Sequence, residues 1–149
     1  MEGKSRMAFM TWRADYSIGV AAIDREHREL VELVNEIDAK LNSPGCEEDR
    51  AENLRRFAAY ARVHFQHEES TFVGTRYGRA CLHARKHRHL LLILDSFQRM
   101  GRFVDLHEQP EFLRRWVIDH IVVEDKALGA YLNGVCPVAS PPHLRRRTH

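Results

Sequence analysis

Residues 83–97 read HARKHRHLLLILDSF, and their spacing decides the fold of the chain. A helix turns about 100° per residue, so with His83 at zero, His87 falls at about 40°. Leu90 then lies at about −20°, Leu94 at about 20° and Phe97 at about −40°. Two imidazoles therefore share one stripe with three large hydrophobes. Arg85, Lys86 and Arg88 lie outside that stripe, so it faces a core. His89 falls about 120° away and belongs to the surface.

The same pattern recurs on either side. With His64 at zero, Glu68 lies at about 40°, Phe57 at about 20°, Ala61 at about 60° and Thr71 at about −20°. A histidine and a carboxylate again share a buried stripe. His120 lines up with Leu113, Trp116, Val117, Ala127 and Tyr131, and His27 with Ile23, Val31 and Val34. Sparse breaks separate these segments: Asn42-Ser43-Pro44-Gly45, Gly74 to Gly78, Gly101 with Gln109-Pro110, and Asn133-Gly134 with Pro137.

The segments predict helices over 24–41, 48–72, 79–100 and 110–132. Pro110 suits a first turn, where its missing N–H would be unpaired anyway. No stretch shows strand alternation; Ile121-Val122-Val123 sits inside helical periodicity. The expected fold is all-α, an up-down-up-down antiparallel four-helix bundle with an irregular N-terminal arm and a short C-terminal tail. Residues 1–11 are read as an extension, 12–134 as the bundle and 135–149 as a flexible basic tail. Phe9, Trp12 and Tyr16 are expected to pack across one end of the bundle. Pro137, Pro141, Pro142 and Arg145-Arg146-Arg147 mark the tail as solvated chain.

The chain of 149 residues is long enough for one self-sufficient core. Its 23 basic and 21 acidic residues leave no field that would favour nucleic acid. Cys46, Cys81 and Cys136 are odd in number and widely spaced, which excludes a disulfide scaffold and favours a reducing, cytoplasmic setting. No apolar run has the length of a membrane span, and MEGKSRMAFMTWRADY lacks the apolar centre of an export signal.

Ten histidines are the compositional anomaly. Five of them, His27, His64, His83, His87 and His120, point inward together with Glu68. A single inward histidine is ordinarily a hydrogen-bonded core residue. Burying five with a carboxylate and no good partners would cost several kcal/mol for each charged group, against a net stability of about 5–15 kcal/mol. A metal centre satisfies them all at once. Five imidazoles with carboxylates exceed one tetrahedral zinc site. They match two adjacent octahedral ions with bridging carboxylates and open positions, an environment that suits non-haem iron. On spacing alone the second carboxylate is Glu124, at about 40° from His120, while Asp125 lies at about 140°.

These residues resemble the hemerythrin family, and within it the single-domain bacteriohemerythrins. The matching elements run from Trp12 to Leu132. They are Trp12, Ser17-Ile18-Gly19-Val20, Ile23-Asp24-x2-His27 with Leu30, His64-Phe65-x2-Glu68-Glu69, Tyr77, His83-x3-His87 and Trp116-x3-His120-Ile121-x3-Asp125. The departure is Tyr77-Gly78, where Tyr-Pro is frequent in the family; it affects a turn. The resemblance implies two iron ions, one bound by His83, His87 and His120 and the other by His27 and His64 with one position open. It implies that Glu68 and Asp125 bridge them together with an oxo or hydroxo group. Placing Asp125 there demands an imperfect reach or a local bulge in the last helix, and Glu124 stays as the rival.

Dioxygen is the implied ligand, bound reversibly for carriage, storage or delivery by a non-enzymatic protein expected to be a monomer, with an oxygen-accepting protein as a further partner. The competing classes are a diiron oxidase, ferroxidase or peroxide-handling enzyme and an oxygen or redox sensor acting through a separate partner; a weak oxidase- or peroxidase-like side activity is compatible with carriage. Ferritin-type diiron enzymes use Glu-x-x-His from each of two helices, and no such pair occurs here; Asp24-x2-His27 has the spacing on one helix only. His67 and Glu69 are read as surface or supporting residues, and His89, His107, His143 and His149 as outside the site. Trp116, Ile121, Leu90 and Leu91 are expected to line an apolar pocket that slows water entry.

Overall fold

The computed structural model describes residues 7–45, 47–100 and 108–135. The basic tail from residue 136 on, His107, His143, His149, Cys46 and Cys136 lie outside the described residues. A short 3₁₀ turn over Ala14–Tyr16 precedes α1 (Ala21–Leu41), α2 (Glu47–Phe72), α3 (Ala80–Met100) and α4 (Glu108–His120). The fourth rod then passes through a π-helical turn at Ile121–Asp125 and continues as α5 (Lys126–Leu132). Among the described residues there is no strand. The architecture is an antiparallel four-helix bundle in which α1 packs against α2 and α4, and α2 against α3.

The apolar stripes read from the sequence make the core: Ile23, Val31 and Val34 from α1, Phe57 and Ala61 from α2, Leu90 and Leu94 from α3, and Leu113 and Ile121 from the fourth rod are all buried. The helices end where the breaks predict. Asn42 Nδ2 donates to the Asp38 carbonyl at 2.9 Å and Ser43 Oγ to the Ala39 carbonyl at 2.8 Å, which satisfies the last free carbonyls of α1. Gly74 and Gly134 take positive φ just past α2 and α5, as C-terminal caps do. The fourth rod starts two residues before Pro110, which still leaves the proline within the first turn.

Two expectations are corrected. The arm does not lie across one end of the bundle. It runs alongside α1: Met10 exchanges two hydrogen bonds with the Asn35 side chain (2.7 and 2.9 Å), Arg28 stands 5.2 Å over the Trp12 ring, and Ile18 N donates to Asp24 at 2.7 Å. From Asp24 to Asn35 is about 16 Å of helix. Arg114 covers Phe9 from α4, so the arm fills the groove between α1 and α4. Phe9, Trp12 and Tyr16 are half-buried against the core there, which takes part of their apolar surface out of water.

The second correction concerns phase. Regular helical phase puts Ala127 in line with His120, yet Leu128 is the fully buried residue and Ala127 is half-buried. A π turn closes i→i+5 hydrogen bonds and so accommodates one extra residue. Everything beyond it is rotated by about 100°. The shifted phase also places Gly129 against the arm, where a Cβ would sit 2.3 Å from the Ile18 carbonyl oxygen. Only glycine allows that approach.

Candidate metal centre

All four rods aim side chains at one point between them. His27 comes from α1, His64 and Glu68 from α2, His83 and His87 from α3, and His120 and Asp125 from the ends of the π turn. Their exposures run from 0 to 5%. Two overlapping sets of donor atoms result, each lying within 4.8 Å: Glu68, His83, His87, His120 and Asp125, and His27, His64, Glu68 and Asp125. Cys81 is exposed and has no place in either set.

The two carboxylates divide their oxygens between the sets. Glu68 Oε1 lies 3.3 Å from Nε2 of both His27 and His64, while Oε2 lies 3.5 Å from His83 and 3.1 Å from His87. Asp125 Oδ2 lies 3.1 Å from His27 Nε2, and Oδ1 lies 3.0 Å from both His83 and His120. Despite these distances, Glu68 Oε2 and both Asp125 oxygens lack an aligned hydrogen-bond donor. Buried carboxylate oxygens without donors are costly, and here they share a focus with nitrogen lone pairs.

The nitrogens make the same point. His120 Nε2 is 3.2 Å from His83 Nε2 and 3.0 Å from His87 Nε2. Two donors on neighbouring vertices of an octahedral ion, with bonds of about 2.1 Å, would be separated by about 3.0 Å; on a tetrahedral ion by about 3.4 Å. The spacing lies in the range that donors sharing one metal ion take.

Supporting contacts fix the ring orientations. His64 Nδ1 donates to Glu26 Oε2 at 2.6 Å, and Glu26 Oε1 takes His67 Nδ1 at 2.7 Å. His87 Nδ1 donates to Glu69 Oε1 at 2.9 Å. A carboxylate on Nδ1 keeps the Nε2 lone pair free for a metal. His67 and Glu69 thus hold supporting places, as their sideways phase predicts. Glu26 was missed, because its partner sits on another helix and no single-helix phase reveals it.

Phe65 stacks on His87 at 3.9 Å and Trp116 on His120 at 4.4 Å, which shields both rings. Leu90 and Ile121 are buried in the core, as expected of a wall. Leu91 packs against the same core and also lines an outer cleft with Arg62, Arg88 and Leu92, about 100° round the helix from Leu90. Phe65, unnamed by the sequence reading as a wall residue, lies directly on the His87 ring.

Burial by itself would lower the imidazoles of His27 and His83, but the carboxylates of Asp125 and Glu68 outweigh it and push both up to about 9. His120 is held below its ordinary value by burial. Glu68 and Asp125 lie below the usual carboxylate range; burial opposes this, and the surrounding imidazoles win. Asp24, the one acid three residues before an inward histidine, faces elsewhere: it accepts from Ser17 Oγ at 2.6 Å and from Ile18 N, and so ties down the arm. Glu124 is also withdrawn, bound by Arg79 and Lys86, which hold its carboxyl low against the effect of burial.

A four-helix bundle closed around five imidazoles and two shared carboxylates defines a histidine-rich metal-binding domain. The profile of the hemerythrin HHE cation binding domain matches residues 18–132, and the chain belongs to the hemerythrin family. It is 27% identical over 134 residues to a bacteriohemerythrin of Methylococcus capsulatus, a match that covers 85% of this chain and 99% of that one. A bacteriohemerythrin of Stenotrophomonas maltophilia is 27% identical over 126 residues, covering 81% and 80%. A wild-type hemerythrin crystal structure superposes with a TM-score of 0.78 at 25% identity, over 84% of this chain and 98% of that one. Family membership and the cluster together support a non-haem iron centre. Among the described residues, no helix is long and apolar enough to cross a membrane.

Proposed function

We propose that the chain binds dioxygen reversibly at a non-haem diiron centre, for carriage, storage or delivery. The observation that carries this reading is the division of carboxylate oxygens. His83, His87 and His120 with one oxygen each from Glu68 and Asp125 would hold one ion with five donors. His27 and His64 with the other two oxygens would hold its neighbour with one donor fewer. Two iron ions held there would supply the electrons that reversible dioxygen binding needs.

The protein's own contribution is orientation and exclusion. Glu26 and Glu69 fix the rings of His64 and His87. Phe65 and Trp116 each cover one face of an imidazole, which narrows the approach of water. Only two of the seven cage residues are carboxylates, and Asp24 is committed to the arm. A cage this rich in imidazole has few carboxylates to shift for a bulky substrate, which weighs against a diiron oxidase.

The test is an optical spectrum of iron-loaded, reduced protein under argon, after admission of air, and after return to argon. A visible charge-transfer band that appears and then vanishes is the expected result. A band that decays irreversibly while a reductant turns over would replace carriage with oxidase chemistry. Failure to take up iron would overturn both.

A further inference from the structure

The fourth rod has to absorb one extra residue between His120 and Leu128. At about 100° per residue, eight regular steps from His120 would leave Leu128 at about 80°, off the core; seven bring it to about −20°. Leu128 is fully buried, and Gly129 is pinned against the Ile18 carbonyl, so the far end of the rod cannot rotate to compensate. Two adjacent acids lie inside the interval, Glu124 and Asp125, and the place of the bulge decides which one enters the cage. A bulge that includes Glu124 presents Asp125. A bulge displaced beyond Asp125 would present Glu124, four regular residues after His120.

The structure shows what holds the first arrangement. Glu124 is 1% exposed, yet its carboxylate points away from the cage. Arg79 Nη2 donates to both of its oxygens at 3.1 and 3.0 Å, and the Lys86 ammonium contacts Oε1. Arg79 directly precedes α3, and Lys86 lies between His83 and His87 on that helix. Both cations are half-exposed, at 45 and 44%, so their charge costs little to keep there. We infer that Arg79 and Lys86 are positioning residues that set the helix register of the metal site, holding Glu124 outside so that Asp125 stands in the cage. This rests on the reading of Asp125 as a metal ligand given above.

The test compares wild type, R79M/K86M and R79M/K86M/E124A as full chains, with R79Q/K86Q as a milder second pair. In metal-stripped protein, amide exchange across residues 122–126, read by NMR, should quicken about 10- to 100-fold in the double variant, the effect of losing charge-assisted hydrogen bonds. After iron loading, Mössbauer spectra of the double variant should show a second set of iron environments that vanishes when E124A is added. Rescue by deleting Glu124 is the expected result, since cations that support α3 independently of Glu124 would leave the triple variant as altered as the double. Unchanged exchange, an unchanged spectrum in the double variant, or an altered spectrum that E124A fails to restore would each overturn the register role. A wild type that takes up no iron would overturn the metal reading instead, and exchange in the stripped protein would still decide the register.

Discussion

Two of the rods deliver their cage residues by different means. In α3, His83 and His87 stand one turn apart on an unbroken helix, and both reach the centre on a plain 40° offset. His120 and Asp125 are five residues apart and reach the same centre only through a π turn. A regular helix can be read by phase alone. An interrupted one cannot, because the interruption is set by partners on other elements, here Arg79 and Lys86.

The sharpest way to break the contrast is to remove the two rival acids separately. Asp125→Ala should lose most bound iron, because both of its oxygens face imidazoles, whereas Glu124→Ala should keep it. Iron-to-protein ratios after desalting decide this, and full occupancy in Asp125→Ala would return the site to the regular-helix reading. Next in size is core packing. Leu128→Ala should cost about 2–5 kcal/mol in urea unfolding, and Ala127→Gly about 1 kcal/mol. An uninterrupted helix would reverse that order, since Ala127 would then occupy the core.

A smaller effect is expected with pH. His27 and His83, raised to about 9, contribute stability that is full below about pH 6.5 and lost as pH rises through about 9. Glu68 and Asp125, held low, contribute stability that is present above about pH 4 and lost on acidification. Metal-stripped protein should therefore weaken by about 1–3 kcal/mol between pH 6.5 and 9. Iron-loaded protein should not, because ligated imidazoles carry no proton to lose. Urea midpoints at the two pH values test this, and a flat profile in the stripped protein would refute it. The smallest effect belongs to deletion of the exposed Val122. Removing the extra residue leaves the aspartate four residues after His120 on a regular helix and keeps Leu128 in phase. Iron binding should persist and stability should change by no more than about 1 kcal/mol.

These experiments mark the boundary of what the sequence discloses. Helical phase places His27, His64, His83, His87, His120 and Glu68 on inward stripes, because each belongs to a regular helix with its own hydrophobic companions. Phase selects Glu124 over Asp125, since a wheel assumes i→i+4 bonding throughout. The family pattern selects Asp125, and the structure puts Asp125 among the imidazoles and Glu124 with two cations. Glu26 escapes both kinds of reading: it lies one residue from His27, and its role exists only where α1 faces α2. The groove taken by the arm is likewise a property of the assembled rods.

The contact between the arm and α5 has a bearing on assembly. Asn133 Nδ2 donates to the carbonyls of Ile18 and Gly19 across separations of 115 and 114 residues. Closing so long a loop costs chain entropy that is returned only when all intervening helices are already in place. The cage has the same requirement, for the α1–α2 hairpin brings His27, His64 and Glu68 but lacks the aspartate that completes their set. A half-built bundle therefore offers iron an incomplete grip. In the proposed centre, metal would meet its full donor set only in the finished fold.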